Sequence, residues 1–189
     1  MRRVALLSAC VLVGGGLVVP ATALADEEDG GGHGHDNGRD VSWIAEEAEF
    51  AVVLPDGTTF TEDSPPPEEE QEFSLPIGAR LFIEETLYAT EDGTTRGDEV
   101  GRTAIECTAQ AVPEDLRCDI AWVLDEGSQL HGSVVVVFSE ASEPTQFDIA
   151  VTGGTGEFAG ASGVVSLTDT TDTEDPEAVS TTLYETHLD

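Results

Sequence analysis

Two acids and a phenol lie together in Glu84-Glu85-Thr86-Leu87-Tyr88, and Tyr184-Glu185 repeats the pairing near the C-terminus. Carboxylates beside phenols suit general acid–base work, because desolvation lifts a carboxyl toward neutral pH, where it can both take and give a proton. Adjacent strand residues point to opposite faces, so at most one of Glu84 and Glu85 faces a given interior. Arg102 and His131 extend the candidate set, with His131 in phase with Ser133, Val135 and Val137. Each of these residues equally fits a solvated outer face or a satisfied core polar group. The chain has no G-x-S-x-G, H-E-x-x-H or Ser-His-Asp motif, so Glu84, Glu85, Tyr88 and His131 are candidates without an assigned reaction.

Two other constellations invite metal or nucleotide readings. His33-Gly34-His35-Asp36 places two imidazoles and a carboxylate within four residues, a set that could wrap Zn or Cu. The surrounding stretch is Gly-rich and fixes no geometry, so His33, His35 and Asp36 read first as part of a tether. The run Asp169, Asp172, Glu174, Asp175 and Glu177 lacks the order of a calcium loop. Gly154-Thr155-Gly156-Glu157-Phe158-Ala159 formally fits G-x-G-x-x-A, which needs a strand before it and a helix after. Its sequel, Gly160 to Val165, reads as strand, so a tight turn explains the glycines better than a phosphate cradle. No cofactor is expected.

Charge excludes one class of partner. The 189 residues hold 39 Asp+Glu against 7 Lys+Arg, a net charge of −32, and every strong base is Arg. Nucleic acid would be repelled. Most carboxylates must stand unpaired in water, as an acidic shell rather than as a cation-capturing site. Met1-Arg2-Arg3, the apolar run Val4 to Val19 and Ala23-Leu24-Ala25 follow the layout of a secretory signal peptide over residues 1–25. The run is short for a spanning helix, and no other segment could cross a bilayer as one. Leu7-Ser8-Ala9-Cys10 resembles a lipobox, but the apolar run continues past Cys10, which favours simple export. Residues 26–45 read as a disordered Gly/Asp/His-rich tether and 46–189 as one domain, secreted and extracellular.

Within that domain apolar residues recur every second position. Cys118, Ile120, Trp122 and Leu124 share a face, as do Ile105, Cys107 and Ala109. Strands are expected near 47–54, 80–89, 100–110, 116–124, 129–138, 145–152, 159–168 and 178–188, with Ser42 to Glu47 open to a helical turn instead. Acidic loops are expected at 63–72 and 169–177. The short connections demand antiparallel pairing, and so many strands in one domain imply a closed barrel or a sandwich. Cys107 and Cys118 flank Pro113-Glu114-Asp115 and point to one apolar face. In an exported chain that has lost Cys10 they form a disulfide pair.

Three segments carry a family resemblance. Gly78 to Tyr88 (GARLFIEETLY) resembles the GDRxxFxExLYD strand of bacterial allene oxide cyclase barrel-like and dirigent-like proteins. Gly101 to Cys107, followed by Cys118, is similar to that family's hairpin with a Cys on each strand. Val151 to Gly163 (VTGGTGEFAGASG) resembles its xTGGTGxYxGAxGxV segment. The resemblance implies an all-β fold, an eight-stranded antiparallel barrel. Plant relatives are trimers that cyclise an epoxide or steer radical coupling, and some bacterial relatives close rings, so a homo-oligomer is an implied state. The acidity departs from the family, and no catalytic motif transfers residue by residue. Two functions follow as expectations: a barrel binding a small apolar molecule and promoting its cyclisation or isomerisation, or a noncatalytic binding or structural barrel with a filled interior.

Overall fold

A computed structural model describes residues 40–65, 75–111, 115–137, 145–172 and 178–189. The expected leader, most of the expected tether with His33, His35 and Asp36, and the acidic runs 66–74 and 173–177 lie outside the described residues.

Among the described residues the alternating segments form nine strands: β1 (Ser42–Val53), β2 (Thr59–Thr61), β3 (Arg80–Ala89), β4 (Glu99–Ala109), β5 (Asp115–Leu124), β6 (Gln129–Val137), β7 (Gln146–Thr155), β8 (Gly163–Asp169) and β9 (Thr181–Leu188). From β3 to β9 each strand pairs antiparallel with the next in sequence, β1 pairs with β3, and β9 returns to pair with β1. That last pairing closes an eight-stranded barrel. The short β2 adds only to the second half of β1.

The first strand begins earlier than expected. Ser42 to Ala45, read as the end of the tether, and Glu46-Glu47, open to a helical turn, are extended, and Trp43 to Glu46 are paired on both sides, with Trp43 opposite Ala89 and Tyr184. A bulge between Glu47 and Glu49 explains the unclear pattern. It shifts the phase, so the inward series runs Trp43, Ala45, Glu47 and then Phe50, Val52. At the other end, Gly153 to Thr155 extend β7 instead of forming the turn, which passes to a 3-10 segment at Gly156–Phe158. Gly154 is required there. A Cβ on it would stand 2.6 Å from both the Gln129 carbonyl oxygen and Phe158 Cβ. The next regular element is strand β8, so the nucleotide fingerprint lacks its helix.

Inside, Trp43, Trp122, Tyr184, Leu87, Leu130, Ile149 and Val165 are fully buried. Trp43 meets Phe158 edge-on at 6.2 Å, and Trp122 meets Tyr184 edge-on at 5.5 Å, geometries that suit the ring quadrupoles. Cys107 and Cys118 are directly opposite on β4 and β5 and form the expected disulfide on the inner face. No helix among the described residues is long and apolar enough to cross a membrane.

Candidate active site in the barrel lumen

The register places one belt of inward side chains across four neighbouring strands. Glu47 of β1 is opposite Glu85 of β3, Glu85 opposite Thr103 of β4, and Thr103 opposite Trp122 of β5. Directly opposed residues have Cβ atoms about 5 Å apart, so these side chains are contiguous. Tyr184 of β9 reaches the belt from across the seam, and its hydroxyl donates to Glu85 Oε2 at 2.8 Å. Glu85 is 6% exposed and Tyr184 is fully buried.

That burial sets the chemistry. Desolvation pushes the Glu85 carboxyl up from its ordinary 4.5 to about 7. Hydrogen bonding from Tyr184 and Thr182 and the nearby Thr103 hydroxyl oppose the rise, and the neighbouring Glu47 adds to it. Glu47 is itself raised, first by burial and then by repulsion from Glu62. Tyr184 is pushed well above its ordinary value by burial and by the Glu85 charge, so it remains a phenol. A carboxyl near 7 held by a neutral hydroxyl is equipped to take and return a proton at neutral pH.

Part of the inner wall beside this belt is accessible. Phe50, Leu81, Ile83 and Ile105 face inward in register with one another, yet each keeps part of its surface accessible. The same strands are buried further along at Leu87, Ala109 and Thr103. The inner wall below Glu85 is therefore apolar and partly accessible, with half-buried Glu47 at its edge.

The remaining sequence candidates lie on the outer wall. Glu84 is exposed and stands 3.8 Å from the Arg102 guanidinium. Tyr88 lies beneath Arg96, which stacks over its ring at 4.5 Å and pairs with Glu46. Glu185 follows Tyr184 and alternates outward. His131 contacts Gln129 and, with Glu84, Phe82, Ala104 and Ala121, lines an open external recess of about 330 Å³. Among the described residues no group of three or more His, Cys, Asp or Glu is arranged to hold a metal ion.

Sequence reasoning had Glu85 and Tyr184 as separate candidates. It missed Glu47, Thr103 and Trp122 as members of one site. The alternation Trp43-Ala45-Glu47 carried a signal for Glu47, which the bulge then hid.

Comparison with known proteins agrees with this architecture. A family model described as Dirigent-like protein matches residues 51–187. Among solved structures, a pyocyanin demethylase superposes with a TM-score of 0.51 at 18% identity, covering 80% of this chain and 100% of that one. The pterocarpan synthase dirigent proteins GePTS1 and PsPTS1 give TM-scores of 0.55 and 0.54 at 16% and 17% identity. Each covers 79% of this chain, and 88% and 93% of their own lengths respectively. No curated protein sequence matches the chain.

Proposed function

The chain belongs to the dirigent-like family, and from that premise we propose that it is an exported barrel whose lumen takes a small apolar molecule and promotes its cyclisation or isomerisation by proton transfer at Glu85. The observation that carries this reading is the buried Glu85–Tyr184 pair, whose carboxyl sits at about 7 beside a partly accessible apolar wall. Tyr184 fixes one carboxylate oxygen by donating to it, which orients the group as well as stabilising its charge. In the protonated state Glu85 gives a proton to the substrate; after the ring closes or the double bond moves, it recovers one. Glu47, opposite Glu85 and half-buried, links the lumen to solvent and supplies the route for that exchange. Support by likeness comes from neighbours named for acting on small organic molecules, a demethylase and two synthases.

A noncatalytic barrel with a filled interior is the second reading, favoured by the complete burial of Trp43, Trp122, Tyr184, Leu87 and Leu130. One experiment separates the two. The chain is titrated with the neutral fluorophore N-phenyl-1-naphthylamine, then incubated with a panel of epoxides, enones and quinone methide precursors. Saturable fluorophore binding, with a conversion that E85Q abolishes while binding is kept, is the expected result. No binding at all assigns the filled interior, and a conversion undiminished in E85Q removes Glu85 from the reaction. Export is read from the intact mass of secreted material, which should begin at Asp26; a lipid-modified Cys10 terminus would contradict it.

A further inference from the structure

The lumen contains two polar atoms that its own side chains leave unmatched. Among the described residues Trp122 Nε1 and Thr103 Oγ1 have no hydrogen-bond partner, and both residues are fully inaccessible. They belong to directly opposed residues on β4 and β5, in the belt that also holds Glu85. Thr103 lies near enough to ease the charge on Glu85, yet its hydroxyl makes no hydrogen bond of proper geometry. Native proteins seldom leave buried donors unmatched, because each would forfeit the hydrogen bond it makes to water in the unfolded chain.

The chemistry of these atoms defines what would satisfy them. An indole N–H only donates, and a threonine hydroxyl donates readily, so the missing group is an acceptor. An anionic acceptor is disfavoured. The lumen already holds Glu47 and Glu85, while Arg80, Arg96, Arg102 and Arg117, the Arg residues among the described ones, are all exposed on the outer wall. A cationic ligand has nothing to offer an indole N–H. Resting on the lumen-binding reading above, we propose that the ligand is a neutral, largely apolar molecule bearing a carbonyl oxygen, and that Trp122 Nε1 and Thr103 Oγ1 bind that oxygen beside Glu85. The arrangement places two donors on the oxygen and a carboxyl within reach of the neighbouring carbon. It is suited to moving a proton α to a carbonyl, with the donors holding the oxygen as negative charge develops there.

Matched probes that differ only in the carbonyl test this: 1-indanone against indane, and 9-fluorenone against fluorene, titrated into the full-length protein. At least one ketone should bind about tenfold or more tightly than its hydrocarbon, the size expected for a buried hydrogen bond with a second donor in support. The ketone should also shift the Trp122 indole N–H resonance downfield. W122F and T103V should each reduce the ratio of ketone to hydrocarbon affinity; T103V keeps the side-chain shape and serves if W122F does not fold. Equal binding of both members of every pair would overturn the carbonyl assignment while leaving the lumen reading intact. Failure of every probe, hydrocarbon and ketone alike, would overturn both.

Discussion

Replacing Glu85 with Gln keeps the side chain's shape and removes its ability to ionise, which isolates the energetic effect of that one buried group. The folded carboxyl titrates at about 7 and the unfolded one near 4.5, so between those values the folded state binds more protons. Stability from this group is fully present below about 4.5 and is lost as pH rises through about 7. Each pH unit between the two values is worth about 1.4 kcal/mol, so the whole loss is about 3 kcal/mol, most of it between about pH 5 and 8. Urea unfolding across that range measures it. Wild type and E85Q should be nearly equally stable at the acid end, with E85Q ahead by about 2–3 kcal/mol at the alkaline end. Comparing the two proteins matters because surface repulsion on an acidic chain gives wild type a similar trend; only the difference belongs to Glu85. Parallel curves would show that Glu85 titrates ordinarily and would remove the physical basis for its role as acid and base.

Three further outcomes are expected. The double variant C107A/C118A should lose about 2–3 kcal/mol, seen as a Tm lower by several degrees, and an unchanged Tm would show that the cross-strand bond stabilises nothing. Gly132→Ala would place a Cβ 2.6 Å from Ile149 Cγ2 and 3.1 Å from Trp122 Cζ3, so it should destabilise by about 1–3 kcal/mol in urea unfolding; a neutral result would mean that the inner wall yields easily. Raising NaCl from about 0.05 to 2 M should raise Tm, because the Debye length shrinks to about 3 Å at 1 M and the −32 charge repels itself less; a flat or falling Tm would refute self-repulsion.

Most of the barrel was legible in the sequence because an antiparallel wall with one wet face writes its geometry into every second residue. Cys118-Ile120-Trp122-Leu124 and Ile105-Cys107-Ala109 gave β5 and β4 nearly whole, and the disulfide with them. Reading failed where that period breaks. The bulge after Glu47 slipped the phase of β1, and the three residues of β2 are too few to show a period. At β7, Gly153-Gly154-Thr155 looked like a turn because glycine signals both turns and crowded backbone, and here Gly154 serves the second need. The site was half legible. Alternation sent one of Glu84 and Glu85 inward, but the meeting of Glu85 with Tyr184 depends on closure between strands far apart in sequence. No local pattern records that contact.

Closure also governs how the barrel is reached in time. Strand β1 pairs with β9, and the Val41 amide donates to the Thr186 hydroxyl across 145 residues of chain. Contacts of such separation carry a large loop-closure entropy and form late, so the other pairs can assemble into an open sheet before the seam is made. While that sheet is open, β9 and the first half of β1 are bare edges, each ready to pair with another copy. Strand β1 carries Glu46, Glu47 and Glu49, and its natural partner β9 carries Glu185. Two open sheets approaching edge to edge meet with like charges, on chains of net −32 each, whereas the seam within one chain closes at a local concentration no second molecule matches. The acidic composition should thus slow association between copies during the interval when the barrel is unfinished.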